Sequence, residues 1–154
     1  MRRMACAALL TLAVVAFASG CSSPKSAEGR SLEDASRLVA AHEGVTDGRV
    51  ELRNYTSGFT SRWGVDVYFK PAENALQSGD KTLLRDLLRI GWSVHDHAID
   101  GGVSLVLEDT PGVDLAAVAG DDDLPPFTAN PSLPGELTVS SQDMSKAFGQ
   151  WPGR

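Results

Sequence analysis

"WGVDVYFK", residues 63–70, alternates without a break: Trp63, Val65, Val67 and Phe69 fall on one side of an extended chain, Gly64, Asp66, Tyr68 and Lys70 on the other. Successive side chains of a strand point to opposite faces, so the stretch reads as a strand with one buried and one solvated side. A sheet with one apolar face needs a second layer to cover it. Upstream, Val50 and Leu52 alternate with Glu51 and Arg53 as a partner strand, entered through a turn at Asp47 and Gly48 and left through the turn-rich "NYTSGFTS" at 54–61. Before that pair, Ser31 with Asp34 three residues on approximates a capping box, and Leu32, Ala35, Leu38 and Val39 share one face of a helix ending near Gly44.

Downstream, Pro71 stops the strand, and a short turn through Leu76 closes at Gly79. Asp80 then caps a second helix whose Leu83, Leu84, Leu87 and Leu88 form an apolar stripe ended by Gly91. Trp92 and Val94 open a third strand, "DGG" at 100–102 supplies a hairpin turn, and Val103, Leu105 and Leu107 make the fourth. Trp63 and Trp92 stand at core phase and read as packing residues. Residues 114–119 add a short helix before "GDDDLPPFTANPSLPG", a loop by its prolines and acids. A short strand over 136–140 and a capped helix over 141–150 follow, and Trp151 in the tail is expected to dock back on the domain.

The expected fold is therefore α+β: a two-layer sandwich with a mainly antiparallel four-stranded sheet and helices on one face. The recurrence of helix then hairpin suggests an αββ duplication, although identity between the halves is too low for a true repeat. The general layout is similar to ferredoxin-like and BON-type modules of exported bacterial proteins, though no motif confirms either. The 154 residues divide into a signal at 1–20, a linker at 21–30, the α+β domain at 31–120 and a Pro/Asp-rich loop with a C-terminal segment at 121–154.

The first 20 residues carry the most specific signal. Arg2 and Arg3 precede an uncharged run from position 5 to 18, the shape of a secretory signal and shorter than the roughly 20 apolar residues that span a bilayer. Ala18, Ser19, Gly20 and Cys21 resemble the lipobox of bacterial lipoproteins, with Ala18 where the family more often has Leu. The resemblance implies that the Cys21 thiol receives a diacylglyceryl group and that cleavage makes Cys21 the N-terminus. "SSPKSAEGR" at 22–30 is a polar linker suited to holding a domain clear of a membrane.

Charge and cysteine usage follow from that reading. With Cys6 removed and Cys21 acylated, no thiol is left for a disulfide or a cysteine metal site. Loss of Arg2 and Arg3 leaves 12 basic against 20 acidic groups, a charge of −8. Such a surface argues against nucleic acid and against electrostatic adhesion to anionic lipid. Two or more acyl chains, at about 0.8 kcal/mol per buried CH₂, anchor stably without a basic patch.

Chemistry-bearing clusters are few. "HDH" places His95 and His97 two apart, on the same side of the expected third strand, where two imidazoles with Asp100, Glu108 or a distant carboxylate could complete a metal site. The competing reading is a solvated strand face. His42 sits at the end of the first helix, where a cationic group suits the helix dipole. Asp121, Asp122 and Asp123 lack the alternation of a calcium loop and read as a solvated run. No nucleophile elbow and no phosphate-cradling glycine loop is present. The expectation is a lipid-anchored, extracytoplasmic, non-catalytic module of the cell envelope, without cofactor or nucleic-acid partner, that meets an envelope protein or ligand through loops such as 54–62. The alternative is a metal-binding or enzymatic lipoprotein built on His95 and His97.

Overall fold

The computed structural model describes residues 28–76, 82–120 and 124–153. The expected signal, Cys21, the Asp80 cap and the triple aspartate at 121–123 lie outside the described residues. The domain is α+β, a five-stranded mixed sheet with four helices.

Helix α1 (Leu32–Ala40) starts where the capping pair predicts: the Ser31 hydroxyl oxygen accepts from the Asp34 N–H and its own proton goes to the Asp34 carboxylate. Ala35 and Val39 are fully buried, whereas Leu38, expected on the same face, is 41% exposed. Strands β1 (Val45–Ser57) and β2 (Thr60–Pro71) form a long antiparallel hairpin, with Val50 opposite Val67 and Leu52 opposite Val65. Gly48, expected in a turn, lies inside β1, where a Cβ would stand 2.5 Å from the Val39 side chain. The missing side chain seats α1 on the sheet.

Helix α2 (Thr82–Trp92) buries Leu83, Leu84, Leu87, Leu88 and Trp92. It does not stop at Gly91; a Cβ there would crowd Val103 and Val67 at 2.7 and 2.8 Å, so this glycine too marks close approach rather than an end. The expected third strand at Trp92 and Val94 is absent, because Trp92 completes α2 and Val94 makes only an isolated parallel bridge to Arg30. The chain instead crosses over to β3 (Gly102–Leu107), parallel to β2, with Val65 opposite Val103 and Val67 opposite Leu105. A helix between two strands is the ordinary way to join a parallel pair. The 100–102 stretch is consequently not a hairpin turn, and a single strand follows α2, so the αββ unit does not repeat there.

Helix α3 (Leu115–Ala119) is capped by Asp114, whose carboxylate accepts from the Ala116 and Ala117 N–H groups. The stretch read as loop then forms β4 (Phe127–Asn130) and part of β5 (Leu133–Val139), an antiparallel pair extending the sheet in the order β1-β2-β3-β5-β4. Pro134 is tolerated because β5 pairs with β3 only from Glu136 onward. Helix α4 (Ser141–Phe148) is capped by Ser140.

Two opposite faces result. Val50, Val65, Val67, Phe69, Val103, Leu105, Leu137 and Val139 share one core with buried residues of all four helices. The register puts Arg49, Glu51, Arg53, Asp66, Tyr68, Ser104, Glu136 and Thr138 on the other side, and no described helix covers them. The layers are as expected; the sheet is mixed and one strand wider.

Candidate functional site

His95 and His97 lie in the irregular connection between α2 and β3, both exposed. Their backbone is not strand, so the shared face that would pair two imidazoles does not form. The His97 ring stacks on Trp63, centroids 4.1 Å apart and planes inclined by 29°. The His95 N–H donates to the Arg30 carbonyl at 2.9 Å, tying the incoming chain to this connection. The two carboxylates considered as further ligands have other partners. Asp100 accepts the Trp63 N–H at 2.7 Å, and Glu108 takes the Arg49 guanidinium through both oxygens at 2.7 Å. His42 accepts from the Gly44 N–H and lies 3.7 Å from Asp86, linking the end of α1 to α2. Among the described residues, no group of three His, Cys, Asp or Glu side chains could hold a metal ion. Equimolar Zn²⁺ is expected to leave the His95 and His97 ring signals unmoved in NMR spectra. Sub-micromolar binding that disappears in a His95→Ala/His97→Ala variant would contradict this geometry.

The uncovered sheet face holds a network of short contacts. Arg53, from β1, reaches the Ser104 hydroxyl at 2.9 Å and lies 3.2 Å from Asp66 and 3.6 Å from Glu136. Ser104 in turn shares a hydrogen bond with Thr138 at 2.8 Å, so β1, β2, β3 and β5 are stitched at one level. The Asp66 side chain is only 6% exposed, and its Oδ1 faces Arg53 at ion-pair distance without hydrogen-bond geometry. Burial pushes the Asp66 carboxyl above its ordinary range; Glu136 adds to this, while Arg53 and the Ser104 hydroxyl oppose it.

This shift has a sign in stability. The native state keeps a proton that the unfolded chain gives up, so the contribution of Asp66 is full below the unfolded carboxylate range and is lost as pH rises from there through the raised native value. Asp66→Asn, neutral throughout, is therefore expected to be more stable than wild type at neutral pH, with the advantage gone by about pH 3, below the ordinary carboxylate range. Arg53 retains Ser104 and Glu136 in that variant. Denaturant unfolding at the two pH values reads the difference, and a less stable Asn variant at neutral pH would contradict it.

A third set of features gathers where the chain joins the domain. Residues 54–62, expected as a loop, are mostly the outer ends of β1 and β2, closed by a tight turn at Gly58 and Phe59 with Ser57 paired to Thr60. Beside this hairpin a cleft of about 300 Å³ opens between the α2–β3 connection and α4, lined by Trp92, Ile99, Asp100, Ser141, Gln142 and Trp151 among others. Trp151 is held by its indole N–H on the Val94 carbonyl at 2.7 Å, and Trp92 by the Gly149 carbonyl at 3.0 Å. Trp92 is almost wholly buried, so Trp151 is the partly exposed aromatic of this cleft, beside Ser141 and Gln142. Neither Gln142 nor Ser141 stands out in the sequence, because the cleft joins segments more than 40 positions apart.

Comparison with family models, with curated proteins and with solved structures finds no match to this chain.

Proposed function

We propose that the chain is a lipid-anchored protein of the extracytoplasmic face of the cell membrane, whose domain is a non-catalytic binding module of the envelope. The observation that carries this reading is the run of Ala18, Ser19, Gly20 and Cys21 behind a basic and apolar leader and ahead of a polar linker. No described helix is long and apolar enough to cross a membrane; the attachment we propose is the lipid on Cys21. The hairpin and the cleft support that reading as candidate binding surfaces. Arg30, the last linker residue, pairs with Ser93 and His95, next to the hairpin and the cleft. An anchor there holds both near the membrane surface, within reach of an envelope component. The test is fractionation of cells expressing the full chain. Wild type is expected in the membrane fraction, released by detergent and not by salt, and Cys21→Ser is expected as an unprocessed precursor or a soluble form. Wild type recovered without membrane would contradict the proposal.

A further inference from the structure

We propose that the tip of the β1–β2 hairpin, centred on Phe59, is a second membrane contact that enters the lipid interface beside the acylated N-terminus; this rests on the lipid-anchor reading above. Phe59 is 110% exposed, whereas the other exposed large apolar side chains among the described residues, Leu38 and Leu133, remain half covered. The hairpin also outruns its sheet. Strand β3 begins at Gly102 opposite Gly64, and the Gly101 N–H still reaches the Trp63 carbonyl, while β1 and β2 continue to pair beyond it through Arg62, Ser61 and Thr60. Three further residues at about 3.3 Å each carry the tip roughly 10 Å past that level.

The tip and the anchor lie at the same end. Arg30 pairs with Ser93 and His95, the Leu32 N–H donates to Asp96 at 2.6 Å, and His97 stacks on Trp63 at the root of the projecting hairpin. Six residues lie between Cys21 and Glu28, seven steps of the chain, and a fully extended chain spans at most about 3.6 Å per step, or roughly 25 Å. The tether therefore keeps this end close to the bilayer.

Composition separates the tip from the rest of the surface. In a chain of net charge −6, the eight residues "NYTSGFTS" at 54–61 carry no charge, and the next residue, Arg62, is cationic. Bringing an uncharged turn to the interface avoids the cost of desolvating charge, and an aromatic ring gains there. A lone projecting ring without an apolar surround is a small footing for a protein partner, which ordinarily covers about 800 Å² per side. A fluid lipid surface needs no complementary pocket.

Maturation as proposed leaves no free thiol, so single cysteines can be labelled cleanly. The full lipidated chain carrying Thr60→Cys with a nitroxide, in vesicles of its own membrane lipids, is expected to show lipid-like accessibility, high to oxygen and low to a water-soluble relaxing agent. Adding Phe59→Ser should shift that label to the aqueous values of a label introduced through Glu73→Cys at the far end of β2, whose own signal stays constant. An acylated chain whose label at position 60 is already aqueous overturns the tip contact alone. A label protected from both agents overturns it in favour of a protein partner. A chain without acyl mass overturns the anchor reading, and the contact with it.

Discussion

Leu87→Ala is expected to lower the unfolding free energy by about 2 to 5 kcal/mol, the range for truncating a fully buried leucine. Leu87 has no exposed surface and stands mid-stripe on α2, between Leu84 and Leu88, where the helix lies across β2 and β3. The loss combines the transfer of the removed methyl groups with the cavity they leave, and Gly91 one turn on already brings the α2 backbone against Val67 and Val103. A backbone seated that closely has little room to settle inward, which argues for the upper half of the range. Urea unfolding of the chain from residue 28 onward reads the change, with Leu38→Ala as the comparison. Leu38 belongs to the apolar stripe of α1 by spacing, yet it is 41% exposed, so its truncation should cost under about 1 kcal/mol. A loss under about half a kcal/mol at Leu87 would place that face in solvent and contradict the two-layer arrangement.

Gly102→Ala is expected to cost about 3 to 5 kcal/mol, from two sources. Gly102 has φ +92°, a region where a side chain is strained by roughly 1 to 3 kcal/mol. A methyl group there would also overlap the Val139 carbonyl oxygen and press on Ser140. That obstacle is backbone, and relieving it would disturb the rung where Val103 faces Val139. Gly112→Ala isolates the first source, since Gly112 has φ +85° with nothing near its Cβ position. It should therefore lose only the conformational part. Equal losses at the two glycines would contradict the assigned close contact between β3 and the end of β5.

The contrast between these glycines shows what can be read from the chain. Alternation makes β2 and the inner face of β1 legible, because each strand records its own burial in a period of two. Helix α1 is legible at its first residue through the Ser31 cap, and α3 and α4 are legible as segments, while their caps, Asp114 and Ser140, fall inside the helix read over 114–119 and the strand read over 136–140. Gly48, Gly91 and Gly102 read as punctuation, yet each has its role in a contact with another element: Val39, Val103 and the Val139 carbonyl. No local pattern encodes that. Parallel pairing of β2 with β3 is hidden for the same reason, since a crossover helix and a hairpin differ here only in whether Trp92 ends a helix or begins a strand. Strand β4 and the first residues of β5 are masked by Pro131 and Pro134, which a strand tolerates where it lacks a second neighbour, whereas the rest of β5 falls within the strand read over 136–140.

The candidate sites divide in the same way. His95 and His97 are visible as a pair, but an irregular backbone and the stacking of His97 on Trp63 separate their roles. Asp66 falls on the solvent phase of β2 and is nonetheless buried, because Arg53, Ser104 and Glu136 arrive from three other strands. Phe59 is visible as a turn residue; its projection past the sheet depends on where β3 begins.

Intact mass of the mature protein extracted from its own membrane tests the account most directly. The predicted result is a chain that begins at Cys21 and carries the mass of a diacylglyceryl group, with no free thiol. A chain beginning at any other residue, or one beginning at Cys21 without acyl mass, would contradict it.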